Sequence, residues 1–324
     1  MNIGIMGAGV IAEKMALTLN LMEDAHCYAV ASRSAEKAEA FAKAHKVEKA
    51  YGDYEEMLKD ETVELVYIAT PHSHHYDCAK LCLKYNKPVL CEKAFMANAK
   101  QAEEILNAFE QKGVFITEAI WTRYLPSRRM IDEVVTSKEL GEVTFVTANL
   151  GYDIQGVERL QKPELAGGAL LDVGVYPLNF ISMVLGNEVE EITSTCTKTK
   201  TGVDEQNAVI LKYRGGAMAV AHSGLLSATE QNGIVYGTEG YLIAEEINNV
   251  QNIKVYTKDR KLKWEKHVPE QLTGFEDEVR ASIKAIKEGK LECEEMPHGE
   301  TLRIMEMMDG LRAEWGIQYP FERE

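Results

Sequence analysis

Positive charge is in short supply: 36 Lys and Arg stand against 51 Asp and Glu, a formal net charge of -15. Nucleic acids and anionic bilayers are bound chiefly through clustered cations, so this balance excludes both as partners. An anionic cofactor is still accommodated, because it needs only local positive charge. No apolar run reaches the ~20 residues that cross a bilayer, and no membrane association is expected. The six cysteines, at positions 27, 78, 82, 91, 196 and 293, never form C-x-x-C. With no apolar signal segment after Met1, they are expected as free thiols in a reducing cytoplasm. Internal repeats and low-complexity tracts are missing too, which excludes a repeat array.

What is present is enough apolar sequence for two cores. A chain of 324 residues with 45% apolar and 27% charged side chains reads as a globular protein of two domains. Strand patterns at 2–6, 27–31, 63–69, 88–91 and 114–117 alternate with helical stretches at 10–22, 35–44, 75–84 and 98–111. That alternation predicts a mostly parallel sheet covered by helices on both faces. After Trp121 the character changes. A helix at 126–136, a strand at 143–150 and an apolar helix near 172–185 precede two hairpin spacings, 209–213 with 217–223 and 233–236 with 241–244. Helical patterns return at 275–288 and 299–314. We therefore expect an α/β domain over residues 1–120 and, over 121–324, an α+β domain with an open, mostly antiparallel sheet.

Between the first strand and the first helix lies Gly7-Ala8-Gly9-Val10-Ile11-Ala12. This is the setting of a dinucleotide fingerprint: Gly7 permits the turn, Gly9 lets pyrophosphate approach backbone N–H groups, and Ala12 keeps helix and strand close. The N-terminus of that helix, with Val10 and Ile11, then faces the phosphate charge. A tight turn without a ligand is the plainer reading, but context and glycine spacing agree with a cofactor. At the end of the second strand stands Ala31-Ser32-Arg33-Ser34, with no acid to take the ribose hydroxyls. Arg33 can pair with a ribose phosphate and Ser32 can donate to it, so NADP is expected over NAD.

A second chemical signal is Lys87-Pro88-Val89-Leu90-Cys91-Glu92-Lys93, a cation closing an apolar strand. Lys93 needs a reason to be there. Asp172 and Tyr176 lie four apart, which puts them on one face of a helix. His74, His75, Cys78 and Cys82 invite a zinc reading, but on a helix they do not make a compact four-ligand set, and no metal is expected.

Together these motifs carry a resemblance. The chain resembles the glucose-fructose oxidoreductase, inositol dehydrogenase and rhizopine-catabolism (Gfo/Idh/MocA) family over nearly its whole length. The marks are the opening fingerprint, Thr70-Pro71-His72-Ser73-His74-His75, Glu92-Lys93 and Asp172-Val173-Gly174-Val175-Tyr176. The run Glu118-Ala119-Ile120-Trp121-Thr122-Arg123-Tyr124-Leu125-Pro126 is further similar to the branch of dihydrodiol and NADP-dependent xylose dehydrogenases. The resemblance implies a Rossmann domain joined to a substrate-binding and oligomerisation domain, and a dimer or dimer of dimers. It also implies hydride transfer between NADP(H), with NAD as the alternative, and a small sugar, polyol or diol.

By the same resemblance Thr70, Pro71, His72 and His75 lie on the nicotinamide-ribose side. Glu92 and Lys93 belong to the active site, and Trp121 and Arg123 line the cofactor and substrate cleft, Arg123 by holding local geometry. Tyr176 becomes the acid or base, with Asp172 orienting Lys93 or the substrate hydroxyls. A phenol with a pKa of about 10 is a poor base near neutrality, and a neighbouring ammonium such as Lys93 favours its phenolate. Where the family has Glu-Lys-Pro this chain has Glu92-Lys93-Ala94, which restores an N–H and predicts a looser loop. Gly167 and Gly168 are expected to let substrate approach the Asp172 helix, while Tyr152, Asp153, Arg159 and His222 are weaker candidates for substrate contacts. The alternative function is an inert nucleotide-binding sensor of the same fold.

Overall fold

Short apolar runs without polar alternation suit strands buried on both faces. In a computed structural model of the chain, which describes residues 1–322, they form one parallel sheet. Strands and helices alternate in the order β1 (Asn2–Met6), α1 (Val10–Leu21), β2 (His26–Ala31), α2 (Ala35–His45), β3 (Lys49–Tyr51), α3 (Tyr54–Lys59), β4 (Leu65–Ile68), α4 (His72–Lys84), β5 (Val89–Glu92), α5 (Ala99–Lys112) and β6 (Ile116–Ala119). The strand order is β3-β2-β1-β4-β5-β6, and every pair is parallel. Ile5, Val30, Val66, Ile68 and Val89 are fully buried along it. The order reverses between β1 and β4, and at such a switch point the carboxyl ends of the strands open a crevice for ligands. Side chains set the helix starts: Ser34 accepts from Lys37 N–H, Asp53 from Glu56 N–H and Asn98 from Gln101 N–H.

The second sheet follows α6 (Pro126–Thr136), which begins on proline where no intrahelical N–H is needed. Its first strand is β7 (Val143–Gly151). A π-helical turn, Leu170–Gly174, then runs into α7 (Val175–Leu185). The remaining strands are β8 (Val189–Lys198), β9 (Asp204–Tyr213), β10 (Met218–Gly224), β11 (Gly233–Gly237), β12 (Gly240–Glu245), β13 (Asn252–Thr257) and β14 (Leu262–His267). They pair in the order β14-β13-β12-β11-β7-β10-β9-β8. Every pairing is antiparallel except β7 with β10.

Both expected hairpins form, as β9–β10 and β11–β12. Strands β8, β13 and β14 went unread, and β8 explains why: it is an edge strand exposed along most of its length, so no apolar alternation marks it. Elsewhere the alternation is clear. Val146, Ala148, Val209, Leu211, Ala219, Ala221 and Val235 are buried on one face, while Ile210 and Met218 on the other are 42% and 38% exposed. The stretch Pro163–Leu185 is, by length and composition, apolar enough to cross a membrane, contrary to the sequence reading. In the fold 78% of its apolar window is buried inside the protein.

Two helices close the chain, α8 (Glu276–Lys287) and α9 (His298–Glu314). The chain divides into two compact units: Met1–Tyr124 with Gln271–Glu306, and Leu125–Glu270 with the chain from Met307 onward. The N-terminal stretch of the first unit ends at Tyr124, and α8 lies in that unit. The ties are long-range. Ile116 N–H donates to Leu291 O at 3.0 Å, His298 Nε2 lies 2.9 Å from Ile116 O, and the Trp121 ring stacks on Phe275 with centroids 4.5 Å apart.

Candidate active site

The glycine turn after β1 is shaped by contacts a side chain would break. Gly7 has φ +115, and a Cβ there would lie 2.7 Å from Ala69 O, so only glycine fits beside the end of β4. At Gly9 a Cβ would meet no atom within 4 Å; the turn is open on that side. Gly9 caps α1 without a side-chain hydrogen bond, which leaves the first N–H groups of the helix available to an anion. Ala12 is fully buried against the sheet and Val10 is exposed, with Ile11 between them. This fits a dinucleotide's pyrophosphate.

At the end of β2, Ser32 is half-buried and its N–H donates to Tyr51 O at 3.1 Å. Arg33 is exposed, with its guanidinium free to meet solvent or ligand. Its charge is felt by two half-buried neighbours. Burial raises Tyr54 and lowers His74, and Arg33 opposes the first shift while adding to the second.

The loop after β5 is tied down on several sides. Tyr67 OH donates to Glu92 Oε1, and Lys93 N–H donates to Glu92 Oε2 at 3.1 Å. Lys93 itself is half-buried, and its peptide with Ala94 is cis. Ala94, Phe95, Met96 and Ala97 are all fully buried. His75 Nδ1 lies 3.0 Å from Ala94 O and 3.1 Å from Phe95 O, while Nε2 lies 2.8 Å from Thr70 O. Burial lowers the pKa of this fully enclosed ring. A neutral imidazole carries one N–H, so His75 donates to one of these loops at a time. Where the family has proline, Ala94 is fully buried, its carbonyl faces His75 Nδ1, and the next residue, Phe95, is bonded through its N–H to Glu118.

Helix α4 begins at His72, earlier than the sequence suggested, with Pro71 as its N-cap. His72 is buried and packs edge-on to His75, ring centroids 5.9 Å apart. Thr70 and Pro71 thus sit at the end of β4, beside the glycine turn. Cys78 and Cys82 are buried thiols that burial pushes up. Among the described residues no three His, Cys, Asp or Glu side chains converge as a metal site.

Three acids of this unit were not candidates from the sequence: Glu118 and Glu278 are buried and Glu300 is half-buried. Glu118, in β6, accepts Phe95 N–H at Oε1 across 3.1 Å, and burial raises its pKa to about 7. Glu278 in α8 is fully buried, and neither carboxylate oxygen has a hydrogen-bond partner among the described residues. Burial and the charge of Glu92 raise it well above the usual carboxylate range. Glu300 takes Arg123 Nη2 at 2.9 Å in a pair that is largely buried. Arg123 is thus tied within its own unit to Glu300. The signal for Glu118 was available: like Glu92, it is a charge inside an apolar strand.

In the second unit Asp172 sits in the π-helical turn, buried, with Arg159 Nη2 2.9 Å from Oδ1. Tyr176 follows in the first turn of α7, half-buried. Of the weaker candidates, Arg159 is brought to Asp172. Tyr152 is close enough to feel its charge, and the Tyr152 OH accepts from Asn248 Nδ2 at 2.7 Å. Asp153 is engaged in an isolated bridge with Leu226. His222 is exposed on β10. Its neighbour Ser223 faces the π-turn, so His222 points to the opposite, exposed face. A Cβ on Gly167 would lie 2.7 Å from Leu160 O, and one on Gly168 2.3 Å from Asp204 Oδ1. The chain packs closely on itself at both glycines.

A parallel sheet of this order, a glycine turn opening onto an uncapped helix, and a lysine at the end of β5 define an NAD(P)-binding oxidoreductase. Known proteins agree. The family described as "Oxidoreductase family, NAD-binding Rossmann fold" matches residues 1–119, and the "GFO/IDH/MocA C-terminal domain" matches residues 129–243. Trans-1,2-dihydrobenzene-1,2-diol dehydrogenase of Xenopus tropicalis is 32% identical over 98% of this chain and 98% of its own. The enzyme of that name from Sus scrofa is 39% identical over 73% of this chain and 72% of its own. The chain belongs to the Gfo/Idh/MocA family and is an oxidoreductase acting on hydroxy or carbonyl groups of small molecules. The same fold recurs in KijD10, a 3-ketoreductase of Actinomadura kijaniata solved with NADP (24% identity, TM-score 0.87, 97% of each chain). It recurs again in levoglucosan dehydrogenase (16% identity, TM-score 0.87, 98% of this chain and 97% of the other).

Proposed function

We propose that the protein is an NADP(H)-preferring dehydrogenase/reductase of small diols, sugars or related dicarbonyls, with Lys93 and Tyr176 serving the reacting oxygen. The observation that carries the reading is Lys93 at the carboxyl end of β5, on a loop that Glu92, His75 and Glu118 immobilise. Its relatives support the substrate class, being dihydrodiol dehydrogenases over nearly the full chain. Arg33, exposed at the end of β2 where an NAD enzyme would offer an acid, supports NADP.

The glycine turn and the first N–H groups of α1 would hold the pyrophosphate, and Arg33 with Ser32 would take the ribose phosphate. A bound nicotinamide would supply the hydride acceptor for an alcohol carbon and, reduced, the hydride donor for a carbonyl carbon. The chain's own residues handle the proton. In oxidation the phenolate of Tyr176 takes the proton from the substrate hydroxyl as the C–H bond breaks; in reduction the phenol returns it to the new alkoxide. Lys93 favours the phenolate by its charge and holds the same oxygen by a hydrogen bond. Asp172, anchored by Arg159, orients a neighbouring hydroxyl of the substrate or Lys93 itself.

The protein is further proposed to be a homodimer joined through the open face of its second sheet. That face carries Phe145, Tyr236, Tyr241 and Tyr256 in ring contact, centroids 6.3, 6.0 and 4.8 Å apart along the row. An aromatic row on an uncovered sheet is a surface that a second sheet would bury. Six free thiols support a reducing, cytoplasmic setting.

The test is a cofactor-linked screen in both directions: dihydrodiols, aldoses, anhydro-sugars and polyols with NADP, dicarbonyls and keto-sugars with NADPH, each repeated with NAD(H). Turnover of a diol or sugar, faster with the phosphorylated cofactor, is expected. Cofactor binding without turnover across the panel would overturn the reading in favour of a nucleotide sensor.

A further inference from the structure

We propose that Asp204 is a positioning residue for Asp172 and Tyr176, acting with Asn207 and Ser223 to fix both ends of the turn that carries Asp172 and runs into the helix of Tyr176. The inference rests on the catalytic reading above and extends it to residues on β9 and β10. Asp204, at the first position of β9, is buried. Its Oδ2 accepts the Leu170 N–H at 2.7 Å and Asn207 Nδ2 at 2.9 Å. Asn207 Oδ1 in turn accepts from Ser223 Oγ at 3.0 Å. The far end of this chain meets the same turn. A Cβ on Gly174 would lie 2.9 Å from Ser223 Oγ, so Gly174 and Ser223 are in close contact.

Leu170 and Gly174 are the first and last residues of the π-helical turn, and Asp172 is its middle. Turns of this kind are wider than an α-helix and recur at functional sites. Here the N–H at its start has no earlier helical carbonyl to bond, and a buried carboxylate supplies the acceptor. Gly168, φ +116, brings the preceding backbone against Asp204 Oδ1, closer than any side chain would allow. The rest of the loop is held from the C-terminal segment, where Tyr319 OH donates to Gly167 O at 2.9 Å.

The charged and titratable groups that face Asp204 are Arg312 of α9, Tyr319 and, from β8, Cys196. Burial outweighs Asn207, the Leu170 N–H and Arg312 and raises the Asp204 carboxyl to about 6. As pH falls through that value, the carboxylate gains a proton. The acceptor then weakens at the Leu170 N–H, and the turn loses the charge that opposes its positive end.

The experiment compares kcat, KM and pH profiles of the parent, Asp204→Asn, Asp204→Ala and Ser223→Ala, with Tyr176→Phe beside them. An ångström of misplacement costs about 100-fold in rate, so Asp204→Ala should lower kcat by about 10- to 100-fold with KM for NADPH unchanged. Asp204→Asn keeps an uncharged acceptor, should restore kcat to within about fivefold at pH 7.5, and should remove the fall in kcat below about pH 6. Ser223→Ala, which deletes one hydroxyl, keeps the test open if Asp204→Ala folds poorly; its kcat should fall by about threefold or more. The inference is overturned if Tyr176→Phe is inactive while Asp204→Ala and Ser223→Ala both keep kcat within about twofold of the parent. An acid limb unchanged in Asp204→Asn overturns it as well. Parental turnover in Tyr176→Phe instead removes the catalytic reading itself, and the inference goes with it.

Discussion

The N–H of Phe95 donates to Oε1 of Glu118 across 3.1 Å. Glu118 lies in β6, next to β5 in the sheet, and Cys91 is its register partner. The bond therefore fastens the residue two places after Lys93 to a rigid strand. His75 Nδ1, on α4, lies within hydrogen-bond distance of the carbonyls of Ala94 and Phe95. A fixed backbone on both sides of Lys93 limits where its ammonium can reach, and precise reach is what proton chemistry at a substrate oxygen requires.

Glu118 should also leave a mark on stability. Burial raises its pKa from the ordinary 4.5 to about 7. An acid whose folded pKa is raised lends stability that is complete below the unfolded value and is lost as pH rises through the folded one. Over this window the loss is on the order of 3 kcal/mol. Glu118→Gln keeps an acceptor for Phe95 N–H but does not titrate. Denaturant titrations should find the two proteins alike near pH 4.5, with the variant the more stable at pH 8. Parallel pH dependences would refute the assignment.

Arg33 should decide between the two cofactors. A hydrogen bond to a charged group contributes about 1.5–3 kcal/mol, so Arg33→Ala should raise KM for NADPH by about 10- to 100-fold. KM for NADH should stay within about twofold, since that ribose carries no phosphate. Equal effects on both cofactors would mean that Arg33 is an ordinary surface arginine.

The open face of the second sheet makes a prediction about mass. Tyr241 and Tyr256 stack with centroids 4.8 Å apart, near the middle of the aromatic row. Light scattering at micromolar concentration should give twice the 36.3 kDa of one chain. Tyr241→Arg would bury an unpaired cation in the contact and should release monomers. A monomeric parent protein would contradict the dimer.

What was legible in the sequence is what depends on local spacing. Gly7, Gly9 and Ala12 stand at the spacing of a strand-turn-helix; Lys93 closes an apolar run; and Asp172 lies four residues before Tyr176. The structure keeps each of these local settings, widening the Asp172 turn into a π-helix. What stayed hidden depends on partners far along the chain. Glu118 meets Phe95 across 23 residues and Asp204 meets Leu170 across 34, so neither pairing has a periodicity to betray it. The return of α8 to the first unit and the parallel pairing of β7 with β10 are long-range in the same way. Strand alternation alone turns His222 away from Ser223, and so from the Asp172 turn.

The central claim is that Lys93 and Tyr176 carry the proton chemistry, and single-turnover kinetics of Lys93→Met and Tyr176→Phe with bound NADPH tests it most directly. General acid-base groups contribute about 100- to 10,000-fold, so each variant should lose at least about 100-fold in the hydride-transfer rate. NADPH affinity should hold within about threefold, because the glycine turn and Arg33 carry it. A hydride-transfer rate within a few-fold of the parent, in either variant, would contradict the account for that residue.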